Sequence, residues 1–173
     1  MEKVENTQYA GFWLRFIAMI IDYFVVQFLQ AFVVIPFVFI FGLGFVLPIG
    51  LEELNHSYPG FDWESELLRN LPYIINGIFT LILLTSLMSI LYFSIMESSK
   101  HQATLGKIAL GLKVTDMDGN RLDFIKAFLR NLGKILSSMI MNVGYIMAGI
   151  TPKKQALHDI LANTLVVRSQ PNF

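Results

Sequence analysis

Residues 10–30 read AGFWLRFIAMIIDYFVVQFLQ, a stretch apolar enough to cross a bilayer, yet with Arg15 near its start and Asp22 toward its middle. At about 1.5 Å of rise per residue, roughly 20 apolar residues cover a hydrocarbon core about 30 Å thick. The stretch therefore reads as a membrane-spanning helix. If it enters lipid near Gly11, Asp22 lies about 16 Å along the axis, near the midplane, and Arg15 about 6 Å deep. Arg15 can extend its side chain to the headgroups. Asp22 cannot. An ionised acid at that depth costs on the order of 2.5–3.5 kcal/mol, so it must be protonated, paired or facing water.

The spacing between Arg15 and Asp22 is close to two helical turns, which sets both on one face about 10.5 Å apart along the axis. Asp22 therefore needs partners from elsewhere. Lys134 and Asn76 are candidates within apolar runs, with Arg130 a third if its helix enters deeply. Arg15, nearer the cytoplasmic face, is matched with Asp159 of the segment LHDILANT. Two readings of Asp22 stand side by side: a structural ion pair, or a group that binds a cation or carries a proton.

Composition agrees with a membrane chain. Of 173 residues 54% are hydrophobic and 15% charged, against about 25% charged in an ordinary soluble domain. Thirteen Lys plus Arg balance thirteen Asp plus Glu, which leaves no basic field for nucleic acid. With no cysteine, disulfides, thiol nucleophiles and thiolate metal sites are excluded. The N-terminal MEKVENTQYAG has no net basic region and the apolar run behind it is too long for a signal-peptide core, so the first helix is expected in the mature protein.

Along the chain the pattern predicts one membrane domain over residues 1–173. A first span covers 11–35, closed by Pro36, since proline removes a backbone donor. Residues 36–71 form a variable insert, partly apolar and then acidic. Its FVFIFGLGFVLPIG portion reads as a helix continuation, a re-entrant piece or an interfacial segment. A second span covers 72–96, with Pro72 in its first turn. The connector 97–131 is basic, a third hydrophobic segment covers 132–150, and 151–173 hold a short helix and a strand. Residues 97–134 carry seven basic residues against four acidic ones, which puts the connector and the N-terminus in the cytoplasm and the acidic loop outside.

Within the connector, KVTDMDGNRLD alternates around Asp118-Gly119, a hairpin pair, and Asp123 is placed to cap the next helix. Thr151 and Pro152 suggest a helix start, Asn163 a helix end, and TLVVR a strand. A full crossing by 132–150 would strand Lys153, Lys154 and Arg168 outside. A helical hairpin turning near Asn142 to Gly144 would return them inside, if its backbone is buried in protein. The fold class expected is an all-α integral membrane protein with three hydrophobic helical segments, the third crossing or re-entrant. A small cytoplasmic β-hairpin-like element and interfacial helices complete it.

Other constellations are weaker. His56, His101 and His158 are too far apart in sequence for a helical metal site, and no metal or cofactor is expected. His158 beside Asp159 reads as a proton relay or as an ordinary hydrogen-bonding histidine. Gly42 and Gly44 lack the context of a dinucleotide loop, and no catalytic serine order stands out, so an enzyme is not expected. TLGKIALGLK, with Lys107 and Lys113, reads as an interfacial helix for anionic lipid headgroups.

AGFWLRFIAMIIDYFVV, with Arg15 and Asp22, and ALHDILANT, with Asp159, resemble the RDD family of bacterial membrane proteins, named for one arginine and two aspartates. TLGKIALGLKVTDMDG, Arg130 in AFLRN, and TPKKQALHDILANTLVV follow in the family's order. The resemblance spares only residues 36–71, and departs where Asn163 replaces a frequent glycine and Asp123 a usual serine. It implies a multi-pass protein of the inner membrane, a family for which ligand transport and sodium-proton antiport have been suggested. Two functions are expected from these observations. In the first, a cation- or proton-linked transporter, or a subunit of one, uses Asp22 toward Na⁺ or H⁺ while Arg15, Arg130 and Asp159 hold the cytoplasmic side; three spans being few for a pathway, it is a homo-oligomer. In the second, a membrane scaffold or assembly protein uses the same charges to fix helix packing.

Overall fold

The structure, a computed structural model, describes residues 8–54, 63–139 and 143–169. The centre of the acidic loop, with His56, and the expected turning point at Asn142 lie outside the described residues. The elements in chain order are α1 (Phe12–Leu54), α2 (Trp63–Ser98), α3 (Leu105–Ala109), β1 (Leu112–Asp116), α4 (Phe124–Met139), α5 (Val143–Ile150), α6 (Leu157–Leu161) and β2 (Thr164–Arg168).

Among the described residues two helices are long and apolar enough to cross a membrane, over Phe12–Gly44 and Leu67–Ser98. In an 18-residue apolar window of each, only 11% and 6% is buried by protein, whereas the core helix of a soluble protein is mostly buried. α1 runs on through Pro36 instead of ending there. The proline removes one backbone hydrogen bond, and the apolar helix formers on both sides hold the remainder. α2 likewise begins at Trp63 and encloses Pro72. The third hydrophobic segment is divided between α4, of 16 residues, and α5, of 8. At about 24 Å, α4 is shorter than a hydrocarbon core.

The chain divides into two compact units, Met1–Gln27 with Ser89–Phe173, and Phe28–Met88. In the second, α1 and α2 pack through close contacts and polar ties, the Tyr73 hydroxyl donating to the Phe41 carbonyl at 3.4 Å among them. Gln30 donates its Nε2 to the Thr85 carbonyl at 2.8 Å. The Phe41 ring stacks on Tyr73 with centroids 4.3 Å apart. A Cβ at Gly77 would lie 2.1 Å from that phenylalanine ring, so glycine is what admits it.

In the first unit β1 pairs antiparallel with β2, Lys113 opposite Val167 and Thr115 opposite Leu165. The segment before α1 pairs along the other side of β2, with Ala10 N–H donating to the Val166 carbonyl at 2.9 Å. Ala10, Ala18, Leu112, Val114, Leu122, Ala127 and Val166 form the core beneath. The expected hairpin partner beyond Asp118-Gly119 does not form. The Asp116 carboxylate instead takes the N–H groups of Asp118 at 2.9 Å and Asn120 at 2.8 Å. This closes a turn with Gly119 at φ +84°. Asp123 then caps α4, accepting the Lys126 N–H at 2.8 Å. The helix expected from Thr151 starts at Leu157, because the Thr151 hydroxyl bonds Gln155 and closes a turn. Asn163 ends α6 with φ +50°, a left-handed position that asparagine tolerates.

Candidate functional site

Two buried polar clusters lie in the unit that carries the sheet. The first surrounds Asp22, which is 1% exposed. Its Oδ1 accepts the Gly106 N–H at 2.7 Å and faces the Tyr92 hydroxyl at 3.4 Å. Its Oδ2 accepts the Thr104 hydroxyl at 2.5 Å. Gly106 lies in the first turn of α3, so by taking its N–H the carboxylate of Asp22 caps that helix from 84 residues away in sequence. Close approach makes this possible: a Cβ at Gly106 would stand 2.2 Å from the Ala18 carbonyl oxygen.

These contacts correct the partners expected for Asp22. Asn76, within α2, is exposed. Lys134 and Arg130 are engaged by a different carboxylate. Asp22 is enclosed by α3 and its donors, and neutral N–H and O–H groups supply what a cation was expected to provide.

The second cluster is a ladder of alternating charge. Arg15 donates to Asp159 Oδ2, and also to the carbonyls of Ala10 at 3.0 Å and Lys154 at 2.6 Å. Asp159 Oδ1 accepts Arg130 Nη2 at 2.6 Å and Nε at 3.0 Å. The other fork of that guanidinium, Nη1, donates to Glu97 Oε2 at 2.6 Å. Glu97 Oε1 accepts Lys107 Nζ at 2.5 Å. Lys134 Nζ stands farther off, 3.6 Å from the same oxygen, over the Phe93 ring at 4.1 Å. Asn131, inside α4, ties Glu97 to Ser94 and to the Ala127 carbonyl.

The side chains of Glu97 and Asp159 are wholly covered and that of Arg130 is 2% exposed. Ions so far from water persist only when their hydrogen-bonding capacity is met. Burial alone would raise the Asp159 carboxyl, but Arg130 and Arg15 outweigh it and hold it well below the usual range. Burial would lower Arg130, and the carboxylates of Glu97 and Asp159 instead keep it above its ordinary value. Lys107 falls below its ordinary value through burial, against the pull of Glu97. Lys134 falls further, to about 7, by burial and by the neighbouring Lys107 and Arg130, with Glu97 opposing. It is the third cation on a carboxylate whose two oxygens are already taken.

His158 is buried, with Nε2 3.4 Å from Asp159 Oδ1 and Nδ1 3.5 Å from the Ser137 hydroxyl. Burial, reinforced by Arg130 and Lys134, pushes it down to about 2, so it is a neutral imidazole and adds no charge to the ladder. Lys107 turns inward to Glu97 and does not face headgroups as the reading of TLGKIALGLK supposed. Among the described residues no group of three His, Cys, Asp or Glu is disposed to hold a metal ion.

Sequence reasoning missed Glu97, which it counted as one of four acids in a basic connector. The available signal was position: Glu97 follows directly on the apolar run ending at Met96. Tyr92, Thr104 and Gly106 were missed as well.

Comparison with known proteins gives the chain's relatives. The RDD family model matches residues 9–163. The chain is 34% identical over 158 residues to uncharacterized protein YxaI of Bacillus subtilis (strain 168), covering 91% of this chain and 96% of that protein. It is 27% identical over 164 residues to uncharacterized membrane protein YteJ of the same strain, covering 94% and 82%. No solved structure matches.

Proposed function

The chain belongs to the RDD family, and from that premise we propose that it is a non-enzymatic membrane scaffold of the bacterial inner membrane. In this reading the charge ladder clamps a cytoplasmic unit to the ends of two spanning helices, and the whole serves as a fixed surface for assembly, as a homo-oligomer or with other membrane components. The observation that carries it is the Arg130 fork, which joins Glu97 of α2 to Asp159 of α6 through α4. Asp22 supports it too, since both of its oxygens face protein donors.

The same reading takes a sidedness from strand pairing. β2 pairs with β1 on one side and with the segment before α1 on the other, which supports placing all three on one face of the membrane and the 132–150 segment as re-entrant. Lys100, Arg121, Lys153, Lys154 and Arg168 are exposed in this unit, and charge bias assigns that face, with the N-terminus, to the cytoplasm.

A second reading, cation- or proton-linked transport, draws on the place of Lys134, whose Nζ stands 3.6 Å from a Glu97 oxygen that already accepts Lys107, a buried amine and carboxylate between which a proton can pass. Purified chain in liposomes separates the two. Scaffolding predicts no Na⁺ or H⁺ movement above protein-free liposomes, together with a less stable Asp22→Asn variant. Flux that disappears in a still-folded Asp22→Asn or Lys134→Met variant overturns scaffolding in favour of transport.

A further inference from the structure

A helix that borders water turns its charges outward and its apolar stripe inward. α4 does the reverse. Ala127, Arg130, Asn131 and Ser137 form its inner face and are 0, 2, 3 and 0% exposed, while Ile125, Leu129 and Leu132, spaced i, i+4 and i+7, are 68, 58 and 37% exposed. On the inner face Arg130 joins the charge ladder through Glu97 and Asp159 and Asn131 reaches Glu97, while Ser137 bonds the Gly133 carbonyl of its own helix. What remains outside is an aliphatic stripe. Such a stripe is stable only against another apolar phase.

The same unit contains the first turns of α1 and the last turns of α2, whose exposed side chains, Ile17, Phe24 and Ile95 among them, are of the same kind. If those helices cross the bilayer, lipid reaches this unit. We propose that the Ile125–Leu129–Leu132 face of α4 is immersed in the acyl region of the cytoplasmic leaflet, with the helix held within that leaflet and not crossing it. Two facts limit its depth: at 16 residues α4 falls short of a span, and β1 and β2 on either side of it are paired. A lipid occupant is favoured over a second copy because the stripe shares its unit with the apolar ends of both spans, whereas a protein partner would have to exclude lipid from a surface already bordering it.

The proposal rests on the reading of α1 and α2 as spans, and its test separates the two. Since the chain has no cysteine, single-cysteine variants can be spin-labelled without a background. Ile125→Cys and Leu129→Cys report the stripe, Ile82→Cys the second span, and Asp118→Cys the exposed turn. In vesicles of phosphatidylethanolamine and phosphatidylglycerol, the ratio of collisions with oxygen to collisions with a water-soluble nickel chelate is expected to be several-fold higher at 125 and 129 than at 118, approaching that at 82. A ratio at 125 and 129 equal to that at 118, with 82 still lipid-like, overturns the proposal alone. Labels at 125 and 129 shielded from both reagents also overturn it, since protein then covers the face. A water-like ratio at 82 overturns the span reading and the proposal with it.

Discussion

Arg130 and Asp159 meet through two hydrogen bonds, Nη2 and Nε to the same carboxylate oxygen, across 29 residues of sequence. The rest of the guanidinium reaches Glu97. One planar cation thus sets the distance between two acids, and a side chain of different shape cannot replace it.

Arg130→Lys keeps the charge but satisfies only one acid. Leaving the other buried without its partner is expected to cost about 3–5 kcal/mol. Thermal unfolding in detergent micelles measures this; a melting temperature equal to that of the wild type would show that the fork contributes no stability.

Exchanging the charges of Arg15 and Asp159 does not restore either. Asp159 accepts from Arg15 and Arg130 together, so an arginine at 159 faces Arg130 in a covered site. Arg15→Asp combined with Asp159→Arg is expected to be less stable than Arg15→Ala alone, by the same unfolding measurement.

Gly106→Ala drives a methyl group against the Ala18 carbonyl, a backbone atom that cannot swing away. α3 must back off and release the Asp22 cap. The expected loss is about 1–3 kcal/mol, with faster hydrogen exchange at the Gly106 and Lys107 amides. Unchanged exchange there would contradict the cap.

Lys134 makes stability depend on pH. Its folded value, about 7, lies below the ordinary 10.5, so the unfolded chain holds this proton more tightly. Between those values the unfolded state carries more protons and stability rises with pH; below about 7 the deficit is complete. Lys134→Met is expected to flatten that rise and to gain about 1.4 kcal/mol or more at neutral pH, the equivalent of one pH unit. Parallel stability curves for the two proteins would refute it.

Much of this was legible from residue order. The spans announce themselves through apolar runs, Asp123 as a cap through its position before FIKAFLRN, and the Arg15–Asp159 partnership through charges that need company near one membrane face. What stayed hidden depends on contacts between residues far apart in sequence. Nothing local tells that Lys107 turns inward on a five-residue helix, or that Gly106 is glycine because a helix backbone from the beginning of the chain lies against it. Asp22 shows the limit most clearly. Its depth in an apolar run argues for a cationic partner, whereas the chain folds a helix N-terminus onto it.

Arg15 and Asp159 are 144 residues apart. A ribosome therefore releases the arginine long before its counter-charge exists, and the nascent chain waits at the membrane with an unanswered cation until α6 is made. A product cut short before residue 159 keeps the Arg130–Glu97 pair but leaves Arg15 without its carboxylate, so the ladder closes only when the chain is nearly complete.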